Sequence, residues 1–166
     1  ILHRRPVMAF LPVKQETFLS DLRCHEIIDR LEESVFVIDP DKPEKAPPGF
    51  HFNGMRFNDE WRFSLSAGRS NNFLPLTSLR VVPEHEQCLV SVTYRLFPSS
   101  NRSLIIWSVL SIFTFLFFIL LHGEWLYGIL CISVGVVNYV LTRENFRIQV
   151  GKTRAVLHRQ LVKNDQ

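Results

Sequence analysis

Residues 104–121 read LIIWSVLSIFTFLFFILL and residues 125–141 read WLYGILCISVGVVNYVL; neither run holds a charged side chain. As a helix rising 1.5 Å per residue the first spans roughly 27 Å, close to the hydrocarbon thickness of a bilayer, about 30 Å. The second is slightly shorter. Only His122, Gly123 and Glu124 lie between them, so two such helices must be antiparallel neighbours. A chain of 166 residues has too little other mass to bury both in a water-soluble core. The pattern therefore predicts a transmembrane helical hairpin over 102–142.

The flanking charges orient it. Arg95 and Arg102 precede the first span, Arg143, Arg147, Lys152, Arg154 and Arg159 follow the second, and the link carries no Lys or Arg. Cationic flanks stay on the cytoplasmic side, which predicts both termini in the cytoplasm and 122–124 outside. Trp107, Trp125, Tyr127 and Tyr139 fall near the ends, where amphipathic rings favour the interface. Small and polar residues mark the expected contact between the spans: Ser108, Ser111 and Thr114 on the first, Gly128, Cys131, Gly135 and Asn138 on the second. Small residues let backbones approach, and a hydroxyl in lipid seeks a partner across the interface.

Ahead of the hairpin, residues 1–101 read as an α+β domain. Ser20 is the expected N-cap of a helix running to about Glu33, with Cys24, Ile28, Leu31 and Val35 at helical spacing. A short β-branched run, VFVI, follows, and then a charged proline-rich stretch over 39–48. From Gly49 the period becomes two: Phe50 and Phe52, then Trp61, Phe63, Leu65 and Ala67, then Leu79 and Val81, then Cys88, Val90, Val92, Tyr94 and Leu96. This predicts an antiparallel meander of four strands covered on one face by the N-terminal helix. Beyond the membrane, Tyr139, Phe146, Val150, Leu157 and Leu161 predict that the second span continues as a basic cytosolic helix over 143–166. A strand from Phe146 to Val150, broken at Gly151, is the competing reading.

The stretch 67–76, AGRSNNFLPL, is the most distinctive connection. Gly68, Asn71 and Asn72 tolerate positive φ, and Arg69, Asn71, Asn72, Phe73 and Pro75 together form a candidate site for an anionic or peptide ligand. A wide turn with Phe73 plugging the core is the structural alternative. The run Phe52-x-Gly54, Phe63-x-Leu65 and Arg69-x-Asn71-Asn72-Phe73-x-Pro75, ahead of a strand and two membrane helices, resembles a family of uncharacterised bacterial two-helix membrane proteins. That resemblance, over 50–161, implies a bacterial inner-membrane setting and transfers no catalytic residue; where such proteins carry a glycine soon after the proline, this chain has Thr77 and Ser78.

Other chemistries lack their residues. A formal charge of +3 without an aromatic-interleaved basic stripe does not suit nucleic acid. The six histidines are scattered off metal-ligand spacing, and no phosphate-binding glycine loop or nucleophile elbow is present; no metal and no cofactor is expected. Cys24, Cys88 and Cys131 are odd in number and widely spaced, which predicts free thiols in a reducing compartment. The expected function is a non-enzymatic, membrane-anchored interaction or sensory module, partnered by the bilayer and by a protein or a second copy. An oligomerising membrane-perturbing effector or small channel is the alternative, and a membrane-surface enzyme the third.

Overall fold

The computed structural model describes residues 11–20, 22–37, 47, 49–66, 73–84 and 87–161. The soluble part is an α+β unit of six strands and one short helix: β1 (Val13–Ser20), α1 (Cys24–Ser34), β2 (Val35–Val37), β3 (Phe52–Phe57), β4 (Glu60–Leu65), β5 (Pro75–Glu84) and β6 (Gln87–Leu96). Two long helices follow, α2 (Pro98–His122) and α3 (Trp125–Leu161). The sheet order is β1-β6-β5-β4-β3-β2. The expected four-stranded meander is its centre, β3 to β6, and two strands were missed. Val13–Ser20 pairs antiparallel along the whole of β6, from Val13 opposite Arg95 to Ser20 opposite Cys88. Val35–Val37 pairs parallel with β3, so the sheet is not purely antiparallel.

The period-two reading of the central strands has a direct counterpart in burial. Cys88, Val90, Val92, Tyr94 and Leu96 on β6, Trp61 and Phe63 on β4, Leu79 on β5 and Phe52 on β3 are all buried in one cluster. Gly54 belongs to this inner face: a Cβ there would lie 2.7 Å from the Phe63 Cα. Its bare backbone makes room for Phe63, whose ring packs 4.8 Å from that of Phe52.

Helix α1 begins later than predicted. Ser20 ends β1, and its hydroxyl accepts from the Leu22 amide instead of capping the helix. Arg23 is the N-cap residue, with the Glu26 carboxylate accepting from its backbone amide at 3.2 Å. The face turned to the sheet carries Ile27, Leu31 and Ser34, with Ile28 only half-buried. Cys24 and Cys88, read as free thiols, are joined as a disulfide from α1 to β6, with Cα atoms 5.4 Å apart. Nothing in two cysteines 64 residues apart announces a pair until the sheet is folded.

Helix α3 runs unbroken for 37 residues, roughly 55 Å at 1.5 Å per residue. Its stripe of Thr142, Phe146, Val150, Thr153, Leu157 and Leu161 is buried, and its apolar members join the same core as α1 and the sheet. The segment after 142 is thus one helix with the apolar run 125–141. Helices α2 and α3 are long and apolar enough to cross a membrane; only 6% and 11% of their most apolar stretches is buried. Leu120 and Leu121, 74% and 71% exposed, are typical of their surface. A core helix of a soluble protein would hide such side chains.

Where α2 meets α3 the contact is close. A Cβ on Gly135 would lie 2.7 Å from the Ser111 Cβ, and one on Gly128 3.1 Å from Ile119 and 3.3 Å from the Phe115 ring. The hydroxyls do not bridge the helices as expected. Ser108 donates to the Leu104 carbonyl and Thr114 to the Leu110 carbonyl, each at 2.8 Å within α2. A carbonyl one turn back is always within reach, so no cross-helix partner is required.

Candidate binding face

The loop nominated from sequence is only partly described. Arg69, Asn71 and Asn72 lie outside the described residues. Phe73 is half-buried in the turn that leads into β5, and Pro75 is buried opposite Leu96. Two residues beyond Leu96, α2 begins at Pro98, so Pro75 marks the end of the sheet from which the long helices depart. Among the residues nominated for helix packing, the fold brings Gly135 onto Ser111. Gly128 is buried, while Ser108, Thr114, Cys131 and Asn138 are half-buried along the hairpin.

The sheet has a second face that no described helix covers. The helices take the inner residues, so the alternate residues of each strand point outward. In register across β4, β5, β6 and β1 these form two rows: Glu60, Arg80, Ser91 and Thr17, then Arg62, Ser78, Thr93 and Gln15. A third row brings Leu76, Arg95 and Val13 together. The centre of the face is therefore arginine and hydroxyl, and its margins hold exposed Val13, Leu19, Met55, Phe57 and Val82.

Electrostatics within the face are uneven. Arg62 Nη2 donates to Glu60 Oε2 at 3.0 Å, and its guanidinium lies 5.4 Å from the Phe57 ring centroid. A hydrogen bond from Ser78, then that from Arg62, with the positive charges of Arg62 and Arg95, holds the Glu60 carboxyl below its ordinary range against the opposing effect of burial. Arg80 and Arg95 are exposed, and neither has an ion-pair partner among the described residues. Arg95 lies four residues along β6 from Ser91, the register partner of Arg80, about 13 Å at strand rise. Two uncommitted guanidinium groups so spaced match a partner that offers carboxylates or phosphates bidentately.

A second polar group is internal. Tyr94 Oη donates to Glu16 Oε1 at 2.6 Å, and Arg154 Nε pairs with Glu16 Oε2 at 2.8 Å. His158 Nε2 lies 3.8 Å from Glu16 Oε1, with its ring 4.9 Å from that of Phe18. Burial first, then the hydrogen bond to Glu16 and its negative charge, push the Tyr94 phenol well above its ordinary value, so Tyr94 keeps its proton and donates a hydrogen bond to Glu16. Through these contacts the group ties α3 to the edge strand β1.

Strand alternation turns Arg62, Arg80 and Arg95 away from the apolar positions, but their convergence on one face is not legible from it. The signal was the alternation itself; what it lacked was strand order. Comparison with protein-family models, with curated proteins and with solved structures finds no match for the chain.

Proposed function

We propose that the protein is a non-enzymatic, membrane-anchored interaction module whose open sheet face binds an anionic partner, most simply an acidic surface of another membrane-associated protein. The observation that carries this reading is the unbroken α3. One helix supplies both a span and part of the domain core, so the sheet is fixed at the bilayer with its arginine face left open. The small residues Gly128 and Gly135 face α2 of the same chain, which leaves little of that face for an oligomeric pore.

The setting we propose is a bacterial inner membrane, with the sheet and both termini cytoplasmic. The arginines support it. Antiparallel register carried on from the Gly135–Ser111 contact sets Arg102 level with Glu144, between exposed Arg143 and Arg147. This belt meets the headgroup region, where each cation near an anionic surface gains about 1 kcal/mol.

The test is charge reversal on the open face. Arg80→Glu with Arg95→Glu should abolish co-purification of the partner from native membranes. Expression should hold, and the cost of setting a carboxylate opposite Glu60 should stay within about 1 kcal/mol, the scale of a cross-strand pair. An unchanged set of co-purifying proteins would sink the reading.

A further inference from the structure

The disulfide and the orientation pull in different directions. Stable disulfides belong to oxidising compartments, whereas in the cytosol they are transient and serve redox sensing or catalysis. The orientation proposed above sets Cys24 and Cys88 in the reducing compartment, yet the fold bonds them. The two observations agree if the bond is reversible. We propose that Cys24 and Cys88 are a site of thiol–disulfide exchange with a low-molecular-weight disulfide of the glutathione class, and that the bond fastens α1 to the sheet when the cytosol turns oxidising. This rests on the orientation given above.

The two cysteines have different exposures and so different parts in the exchange. Cys24 opens α1 and is half-exposed, whereas Cys88 is fully buried on β6. The small disulfide can reach only Cys24. The Cys24 thiolate attacks one sulfur, breaks the small molecule's S–S bond and forms a mixed disulfide, expelling one thiolate. Cys88, having given up its proton, then attacks the Cys24 sulfur and expels the second. Two protein thiols are oxidised to one disulfide, the small disulfide is reduced to two thiols, and the two protons end on those products. A reducing thiol attacking Cys24 reverses the sequence. The Cα separation of 5.4 Å lies in the range that closes without backbone movement, so both redox states share one fold.

What the bond governs follows from the neighbours of α1. Only Ile27, Leu31 and Ser34 of that helix are buried, so its hold on the sheet is modest without the tether. Arg30 Nη1 donates to the Gln160 carbonyl of α3 at 3.0 Å, and Leu31 shares a core cluster with Leu157 and Leu161. Fastening α1 therefore also braces the end of the helix that continues into the second span.

The experiment uses the full chain carrying Cys131→Ser, in inverted membrane vesicles equilibrated at graded ratios of reduced to oxidised glutathione. Thiols are then counted by the gel shift of a polymer-linked maleimide. The expected result is loss of both adducts together as the ratio becomes oxidising, with Cys24→Ser leaving Cys88 a free thiol throughout. Hydrogen exchange across α1 should slow at least tenfold in the oxidised state. A pair that stays bonded at the most reducing ratio, stays as thiols at the most oxidising, or leaves α1 exchange unchanged overturns the proposal. Orientation is read separately in intact cells with an impermeant maleimide: Gly123→Cys should react and Gln15→Cys should not. The reverse pattern overturns the orientation and the switch with it, whereas correct labelling with an unresponsive pair overturns the switch alone.

Discussion

Leu157→Ala tests whether the second span is also a core element of the domain. Leu157 is fully buried, in one cluster with Val150, Leu161 and the inner face of the sheet. Truncating a leucine so enclosed removes its transfer free energy and leaves a cavity, which costs about 2.7–5 kcal/mol. A small domain has about 5–15 kcal/mol in all, so the loss is a large share. The control lies on the same helix: Leu130, 62% exposed, lies outside the core, and Leu130→Ala should change soluble-domain stability by less than about 0.5 kcal/mol. The assay is urea unfolding in mild detergent followed by fluorescence of Trp61, which is 4% exposed in the core. Trp107 and Trp125 are replaced by Phe so that they do not contribute. A midpoint for Leu157→Ala within error of Leu130→Ala would show that the C-terminal half of α3 does not belong to the core, and the rigid anchoring argued above would go with it.

Gly135→Leu should loosen the hairpin, because even the first carbon of the new side chain lies 2.7 Å from the Ser111 Cβ; overpacking of this kind costs about 1–3 kcal/mol. Leu116→Ile, on an exposed surface of α2, should leave thermal aggregation in detergent unchanged. Tyr94 sets an alkaline limit. Its phenol is raised above the ordinary 10.0 in the folded chain, so its contribution is fully present below about pH 10 and falls as pH rises beyond that, where the unfolded chain's tyrosine ionises first. In Tyr94→Phe that part of the alkaline loss should vanish, as measured by urea midpoints between pH 8 and 11.

The central strands were legible because their inner positions are uniformly apolar. β1 was not, since its inward side carries Lys14 and Glu16 while its outward side carries Val13 and Leu19, opposite to the usual pattern. Glu16 is tolerated inside only because Tyr94, 78 residues away, and Arg154 take its oxygens. Local sequence holds no trace of such partners. β2, three residues long, has too little pattern to read and is held by its neighbour β3. Ser20 resembled a helix cap by type, but its hydroxyl was taken by the Leu22 amide. The arginine face and the disulfide share one cause of illegibility: each is assembled by strand order, which alternation alone does not supply. The stretch 67–76 stands out by its local residue types alone, whereas the open face needs Arg80 set beside Glu60 by strand pairing.

The C-terminal segment shows how a single residue decides between periods. A strand through Phe146, Ile148 and Val150 would set all three on one face. Phe146 and Val150 are buried at 4% and 1%, while Ile148 is 54% exposed, so the period is that of a helix. Gly151, which might have broken it, has open space where a Cβ would stand and is off the buried stripe; its cost is only the roughly 1 kcal/mol of a mid-helix glycine. The stripe from Thr142 to Leu161 outweighs that many times over, since each buried leucine or phenylalanine contributes about 1.5–3 kcal/mol. With no break between Trp125 and Leu161, the apolar run and the buried Leu157 and Leu161 belong to one continuous rod.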